Sequence, residues 1–244
     1  VYVIEVNPRS SRTVPFLSKV TTIPMVDVAT KCAMGVSLRE QGYKPGLQFF
    51  PDYWACKAPV FSFNKMSNVD ITLGPEMKST GEVLAVDYQF SRALYKACIA
   101  SGINVPHEGA ILITVADRDK EEIVDIAAGF LELGYEVLAT SGTARYLQEH
   151  GVAVEMATKV SEGTPNLLDD IKNGRIAMVI NTTDHGGDAG AERDGFKIRR
   201  STVEHAIPCL TSLDTAKALQ RVMAAMRHRR IVSVVALQDL SYKD

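Results

Sequence analysis

Cysteine is scarce and scattered in this sequence. The four thiols, Cys32, Cys56, Cys98 and Cys209, show no CxxC pairing. That spacing argues against a zinc site or a disulfide framework and is typical of reduced thiols in a cytosolic protein. We expect all four to be buried for structural reasons.

Long apolar runs and an excess of basic charge are also missing. No run approaches the roughly 18 apolar residues of a membrane span, and the first residues lack the layout of a signal peptide. The formal net charge of -2 leaves no global basic field to attract nucleic acid or anionic lipid. We therefore expect a cytoplasmic protein with no nucleic acid and no membrane as a partner, in which any anion site is local.

The first hundred residues have an irregular pattern. Residues 1–5 alternate like a strand that opens the chain directly, which suggests a piece of a larger sheet and hence a fragment. A helix is predicted over 26–41, with Gly42 after it, and another over 88–101. The prolines between 43 and 81 predict loops and short strands. Turn-forming residues after position 103 suggest a boundary between domains at 1–103 and 104–244.

The second domain has a regular pattern. Apolar strands alternate with amphipathic helices, which predicts an α/β fold with a parallel sheet covered on both faces. Ligands of such sheets bind outside the carboxyl ends of the strands. The predicted strands are 110–115, 136–139, 152–156, 177–181 and 209–210, and the predicted helices are 120–133, 144–150, 166–172, 201–206 and 213–226.

Polar groups follow several of these strands. Hydroxyls, a glycine and the amides of a helix N-terminus make a good phosphate cradle, to which lysines add charge. The alternative is that the hydroxyls only cap a helix. Because several such loops meet at one edge, we favour phosphate binding. The candidate residues are Thr114, Lys120, Thr140, Ser141, Gly142, Thr143, Lys159, Asn181 and Thr183.

A second cluster lies at the end of the first strand. Glu5 and Asn7 are two residues apart, so both side chains of an extended strand point to one face, where they could bind Mg²⁺. Arg9 and Arg12 could hold a phosphate or a carboxylated substrate. A solvated strand end with ordinary surface arginines is an equally good interpretation.

Three other polar segments are weaker candidates. Residues 184–190 combine two acids, a histidine and glycines, which we interpret as a mobile loop rather than acid/base machinery. The pair at 199–200 and the run at 227–230 are more often solvated or interface residues. The first pair is near enough to Asn181 in sequence to reach an anion.

Four strings carry a family resemblance. EVNPRSSRTVPFLSKVT and LGPEMKSTGEV resemble the end of an ATP-grasp domain and the following segment in carbamoyl phosphate synthetase large subunits. DKEEIVDIAAGFLELGYEVLATSGTARYL and KNGRIAMVINTT resemble the C-terminal regulatory domain of that family, whose fold is shared with methylglyoxal synthase.

The resemblance implies an activity, cofactors and partners. The intact enzyme would be a ligase that makes carbamoyl phosphate from bicarbonate, glutamine-derived ammonia and two ATP, for pyrimidine or arginine synthesis. Glu5 and Asn7 would bind Mg²⁺ or Mn²⁺ at the second ATP site, and Arg9 and Arg12 would face phosphate or carbamate. This fragment alone would be inactive. Its partners would be a glutamine amidotransferase small subunit and further copies that contact the C-terminal domain.

The resemblance also assigns the phosphate cradle. It would hold a nucleotide monophosphate or phosphoribosyl pyrophosphate as an effector. Ornithine-activated members have a glutamate near the position of Ala58, which argues against ornithine here. The alternatives are a methylglyoxal synthase that acts on a triose phosphate, and a structural oligomerisation domain with an empty crevice.

Overall fold

The structure is a computed structural model with seven strands and eight α-helices in its described parts. It describes residues 3, 9–48, 51–63, 71, 77–158, 160, 163, 165–183, 189–228, 234, 236 and 239. The strands are β1 (Trp54–Val60), β2 (Gly81–Asp87), β3 (Ala110–Thr114), β4 (Glu136–Thr140), β5 (Glu155–Ala157), β6 (Ile176–Asn181) and β7 (Cys209–Leu210). The helices are α1 (Thr13–Thr21), α2 (Met25–Ala33), α3 (Phe90–Ala100), α4 (Lys120–Glu132), α5 (Ser141–Glu149), α6 (Leu167–Lys172), α7 (Ala189–Glu204) and α8 (Leu213–His228).

Five strands form one parallel sheet in the order β5-β4-β3-β6-β7. The chain leaves β3 toward one edge and returns to its other side at β6, so the strand order reverses between β3 and β6. Helices cover both faces, because a parallel strand needs a long crossover that packs back on the sheet. The predicted α/β class with a parallel sheet is confirmed.

The two faces of the sheet belong to separate cores. Ile111 and Ile113 of β3 point to one face and pack with residues of α4, α5 and α8, among them Phe130, which is fully buried. Leu112 points to the other face, where it packs with residues of α6 and α7. Complete burial of one such side chain contributes about 1.5–3 kcal/mol. These two apolar layers hold the carboxyl ends of the strands in fixed register.

The first hundred residues form a smaller unit around an antiparallel strand pair. β1 and β2 pair from Trp54↔Asp87 to Val60↔Gly81, and α3 packs on them. α3 also contacts α8, and Cys98 of α3 is buried in the core with the parallel sheet. The segment after α3 also packs there, because Val105 is 3% exposed. The smaller unit is therefore attached to the sheet domain by apolar packing.

The predicted helix over 26–41 is wrong in length. α2 ends at Ala33, and Gly35 follows with φ of +92°. The amides of Gly35 and Val36 donate to the carbonyls of Cys32 and Lys31 at 3.0 and 2.9 Å, which is the Schellman pattern of a helix C-terminus. The apolar spacing continued past Ala33, but the glycine after it ended the helix.

Other elements also differ from prediction. α1 was missed, and α7 begins at Ala189 rather than near residue 201 because we interpreted its glycines as a loop. α5 begins at Ser141, three residues before its predicted start, and β5 covers residues 155–157.

The prediction of four buried cysteines is wrong: Cys32 is exposed, Cys56 and Cys209 are half-buried, and Cys98 alone is buried. No helix in the described residues is long and apolar enough to cross a membrane.

Candidate functional site

The carboxyl ends of β3, β4 and β6 bring three predicted site residues to one edge of the sheet. Thr114 and Asn181 are the last residues of β3 and β6 and are partners in the strand register. Thr140 ends the neighbouring strand β4. The strand order reverses between β3 and β6 at this point, and open α/β sheets bind ligands at the carboxyl edge beside such a reversal.

Thr140 stands at the N-cap of α5 but does not act as its cap. Its backbone is extended, at φ -67° and ψ 153°, and its hydroxyl donates to Thr114 Oγ1 at 3.2 Å. The Thr140 side chain makes no capping hydrogen bond to α5. The first amides of a helix have no partner within it, so those of α5 are the donors that an anion at this edge would meet. Simple capping therefore does not explain this threonine.

The rest of the first turn of α5 has two different environments. Thr143 is 2% exposed, and its Oγ1 accepts a hydrogen bond from the amide of Val115 at 3.4 Å. That hydroxyl therefore ties α5 to the end of β3. Ser141 is half-buried, and Gly142 is exposed. The open side of this turn is formed by Ser141 and Gly142.

Lys120 places a cation over this turn. Its Nζ lies 3.7 Å from the position that a Cβ on Gly142 would occupy, and its side chain is 20% exposed. The same Nζ forms an ion pair with Asp117 Oδ1 at 2.6 Å. The hydrogen bond and the charge of Lys120 lower the pKa of Asp117. The ammonium and the positive end of α5 together favour an anion.

The side chain of Asn181 accepts a hydrogen bond from a residue of α7. Arg199 Nη1 donates to Asn181 Oδ1 at 2.7 Å, and both residues are 3% exposed. Sequence reasoning allowed Arg199 to reach an anion, but its guanidinium is instead bonded to the predicted anion ligand. A buried charge requires such hydrogen bonds.

The loops after β3 and β6 are joined to each other. The amide of Ala116 donates to Thr182 Oγ1 at 2.9 Å, and Arg118 Nη2 donates to the carbonyl of Thr183 at 2.9 Å. Thr182 was not predicted as a site residue, although it lies between two residues that were. Its hydroxyl fixes the crevice wall, so the loop contributes structure as well as candidate ligands.

The remaining predicted site residues lie elsewhere. Arg9 and Arg12 are exposed at and just before the start of α1, in the smaller unit. Glu5, Asn7 and Lys159 lie outside the described residues, as do residues 184–188 of the candidate loop. No group of three or more His, Cys, Asp or Glu side chains within the described ranges has an arrangement that could hold a metal ion.

Two family models match separate parts of the chain. Residues 1–41 match the carbamoyl-phosphate synthase L chain, ATP binding domain, and residues 122–211 match the MGS-like domain. The second match begins within α4, after Lys120, and includes β4, α5 and β6, and therefore the turn at Ser141 and the end of β6 at Asn181.

Solved structures show a weaker likeness. A methylglyoxal synthase from Elizabethkingia anophelis NUHP1 is 21% identical, with 48% of this chain and 79% of that chain covered and a TM-score of 0.37. A structure described as ForH is 20% identical, with 49% and 80% covered and a TM-score of 0.32.

The family models and the fold agree on where the two parts of the chain lie. The matched MGS-like region lies within the parallel-sheet domain, from α4 to β7, and the matched ATP-binding segment precedes β1. In this order, the two matches are those expected of a C-terminal fragment of a carbamoyl phosphate synthetase large subunit.

Proposed function

We propose that residues 104–244 form a regulatory domain that binds a phosphorylated, nucleotide-type effector at the carboxyl edge of the parallel sheet. The observation that carries this proposal is the position of Lys120, whose ammonium lies over the first turn of α5, while the N-cap residue Thr140 makes no side-chain hydrogen bond to that turn. A phosphate dianion there would meet an ammonium group, the amides of a helix N-terminus and the helix dipole together.

The surrounding groups suit a larger ligand than phosphate. The Ser141 hydroxyl adjoins the first turn, and Thr114 and Asn181 line the edge next to it. Lys159, which lies outside the described residues, would add a second cation. A ligand held at this turn would extend along the edge of the sheet toward Asn181. A nucleotide monophosphate or phosphoribosyl pyrophosphate has this shape.

The function of the intact enzyme is part of the same proposal. It would be an ATP-dependent ligase that makes carbamoyl phosphate for pyrimidine or arginine synthesis, with ammonia supplied by a glutamine amidotransferase small subunit. The carboxylate of Glu5 and the amide oxygen of Asn7 are hard donors that fit Mg²⁺, and the ion would neutralise charge on the transferred phosphoryl group. Arg9 and Arg12 would bind phosphate or carbamate.

Isothermal titration of this chain tests the regulatory role. The ligands are uridine monophosphate, inosine monophosphate and phosphoribosyl pyrophosphate, with glycerol phosphate as the control for unspecific phosphate binding. Selective, saturable binding of one ligand supports the proposal. If folded protein gives no heat of binding with any of these ligands, the result contradicts the proposal and favours a structural domain. Release of phosphate from a triose phosphate would instead indicate a methylglyoxal synthase.

A matched pair of variants locates the site. Lys120→Met should weaken binding by about 10- to 100-fold, since it removes a charged hydrogen-bond donor. Lys217→Met is the control, because Lys217 is a half-exposed lysine of α8 that pairs with Glu122 at 2.7 Å. Equal losses in the two variants would show that binding follows overall charge rather than this crevice.

A further inference from the structure

Arg199 is a buried cation directly beneath the candidate site. It lies on α7 with 3% of its surface exposed, and its Nη1 is 2.7 Å from Asn181 Oδ1. Asn181 ends β6, opposite Thr114 in the strand register. The guanidinium therefore contacts a predicted ligand residue from the protein side of the crevice.

The chemistry of the two groups fixes the orientation of the amide. A guanidinium carries only hydrogen-bond donors, so it must bond to the oxygen of Asn181 and not to its nitrogen. The -NH2 group is then the part of the amide that remains for a ligand. A donor at this edge suits an anion, whereas an amide turned the other way would present an acceptor to it.

The path of α7 leaves room for this pair. A Cβ on Gly195 would lie 3.0 Å from Arg199 Nη1 and 3.7 Å from Asn181 Oδ1. Glycine is an unfavourable residue in a helix interior, and Gly195 lies within the sixteen residues of α7. Its presence is explained by the close approach of the guanidinium.

We propose that Arg199 is a positioning residue of the anion site, which holds Asn181 with its amide donors turned toward an anionic ligand at this edge of the sheet. This inference rests on the proposed function, because it concerns the same site. It adds that the preference for an anion is set by a residue that does not touch the ligand.

The side-chain amide of Asn181 gives a direct readout. Its ¹⁵N-¹H signals are assigned with Asn181→Asp, which removes them while leaving Arg199 an oxygen partner. The probe is inorganic phosphate, titrated at constant ionic strength. In the wild-type protein we expect these signals to shift and saturate with phosphate, and Asn181→Asp to bind at least tenfold more weakly, because a carboxylate repels the dianion.

Three variants test the role of Arg199. Arg199→Lys keeps the charge but loses the fork of donors, and Gly195→Ala keeps the arginine but crowds its Nη1. Arg199→Met removes both charge and donors. We expect phosphate affinity to fall about 5- to 30-fold in each, with the Asn181 signals displaced before phosphate is added. Lys197→Met on the same helix, an exposed lysine, is the control and should change affinity less than twofold.

The possible results separate the inference from the function. Wild-type affinity in both Arg199→Lys and Gly195→Ala, with unshifted Asn181 signals, would overturn the positioning role and leave the phosphate site in place. An absence of phosphate-dependent shifts in the folded wild-type protein would overturn the proposed site itself. If Arg199→Met does not fold, the other two variants still decide the question.

Discussion

Asp117 neutralises the cation that the proposed ligand needs. It lies in the short turn before α4, its side chain is 89% exposed, and it is bonded to Lys120 at 2.6 Å. An incoming phosphate must compete with this carboxylate for the ammonium. Exposed ion pairs contribute little to stability, so a ligand with two negative charges can displace Asp117. The pair sets the affinity rather than blocking the site.

Asp117→Asn should therefore tighten phosphate binding. The amide removes both the competing charge and the repulsion of the dianion, and we expect an increase of about two- to fivefold in affinity. The effect should shrink at high salt because the groups are exposed. Titration calorimetry at low and high ionic strength measures both. Asp119→Asn is the control, since Asp119 lies on the same turn next to Arg118; an equal gain there would indicate a general charge effect.

At the scale of elements, the start of β3 depends on a glycine. Gly109 has φ of +103°, and a Cβ on it would lie 2.7 Å from Ala177 Cβ and 3.6 Å from the carbonyl oxygen of Arg175. Because β3 and β6 pair beside this point, a side chain would push apart the two strands that carry Thr114 and Asn181 at their other ends. This glycine therefore supports the register that forms the crevice.

Gly109→Ala should destabilise the protein by about 2–4 kcal/mol, through backbone strain and the clash with Ala177. Gly102→Ala is the matched control: its φ is +84°, but nothing lies within 4 Å of the added Cβ. That variant should lose only about 1 kcal/mol. Urea unfolding gives both free energies. Similar losses of stability in the two variants would mean that the structure accommodates the methyl group at position 109 without a further loss of stability.

The junction of β2 and α3 is held by an ion pair. Lys96 Nζ lies 2.8 Å from Asp87 Oδ2, and the side chain of Asp87 is 5% exposed. Burial by itself would raise the pKa of Asp87, but the hydrogen bonds from Lys96 and from the amide of Gln89, with the charges of Lys96 and Arg92, outweigh it and lower the pKa. The ionised carboxylate therefore stabilises the folded state.

Lys96→Met should lower the free energy of unfolding at pH 7 by about 1–3 kcal/mol, because it leaves a buried carboxylate without its cation. A depressed folded pKa gives stability that is full above the unfolded value near 4 and lost as the pH falls through the folded pKa. The difference between wild type and variant should therefore narrow below pH 4. Urea unfolding at several pH values measures the difference in free energy of unfolding between the two proteins. If that difference stays constant with pH, the ion pair is not the cause of the lower stability.

At the scale of the whole molecule, the reactivity of one buried thiol depends on the packing between the two units. Cys98 lies on α3 of the smaller unit, yet it is buried in the core of the sheet domain. Burial raises the pKa of its thiol, with a smaller contribution from Cys56, and burial also raises the pKa of Cys56. The reactivity of the Cys98 thiol therefore depends on whether α3 stays packed against α8.

Labelling with a thiol reagent at pH 8 should modify Cys32 first and Cys98 last. Cys32 is exposed, whereas Cys98 is both shielded and poorly ionised, and the thiolate is the reactive form. Cys98 should become reactive only in urea concentrations that unfold the sheet domain. Mass spectrometry of the labelled peptides gives the order, and Cys98→Ala confirms the assignment. Labelling of Cys98 as fast as Cys56 in buffer would show that the two units separate readily.

The sequence by itself determined the parallel sheet and the set of polar groups at its edge. Apolar runs such as Ala110–Thr114 are buried on both faces, so each strand shows as a short continuous run between helices of strong period. The sequence pattern alone therefore places Thr114, Thr140 and Asn181 at the ends of these strands. Local pattern is enough because burial and periodicity are properties of neighbouring residues.

Only the tertiary structure decided what each polar group does. Thr140 bonds to Thr114 instead of capping α5, Thr143 faces inward, and Arg199 holds Asn181 across 18 residues of chain. The helix around Gly195 was missed for the same reason, since its glycine makes sense only beside the guanidinium. Hydrogen bonds between separate loops depend on distances that no local spacing encodes, so the packed sheet had to bring the partners together.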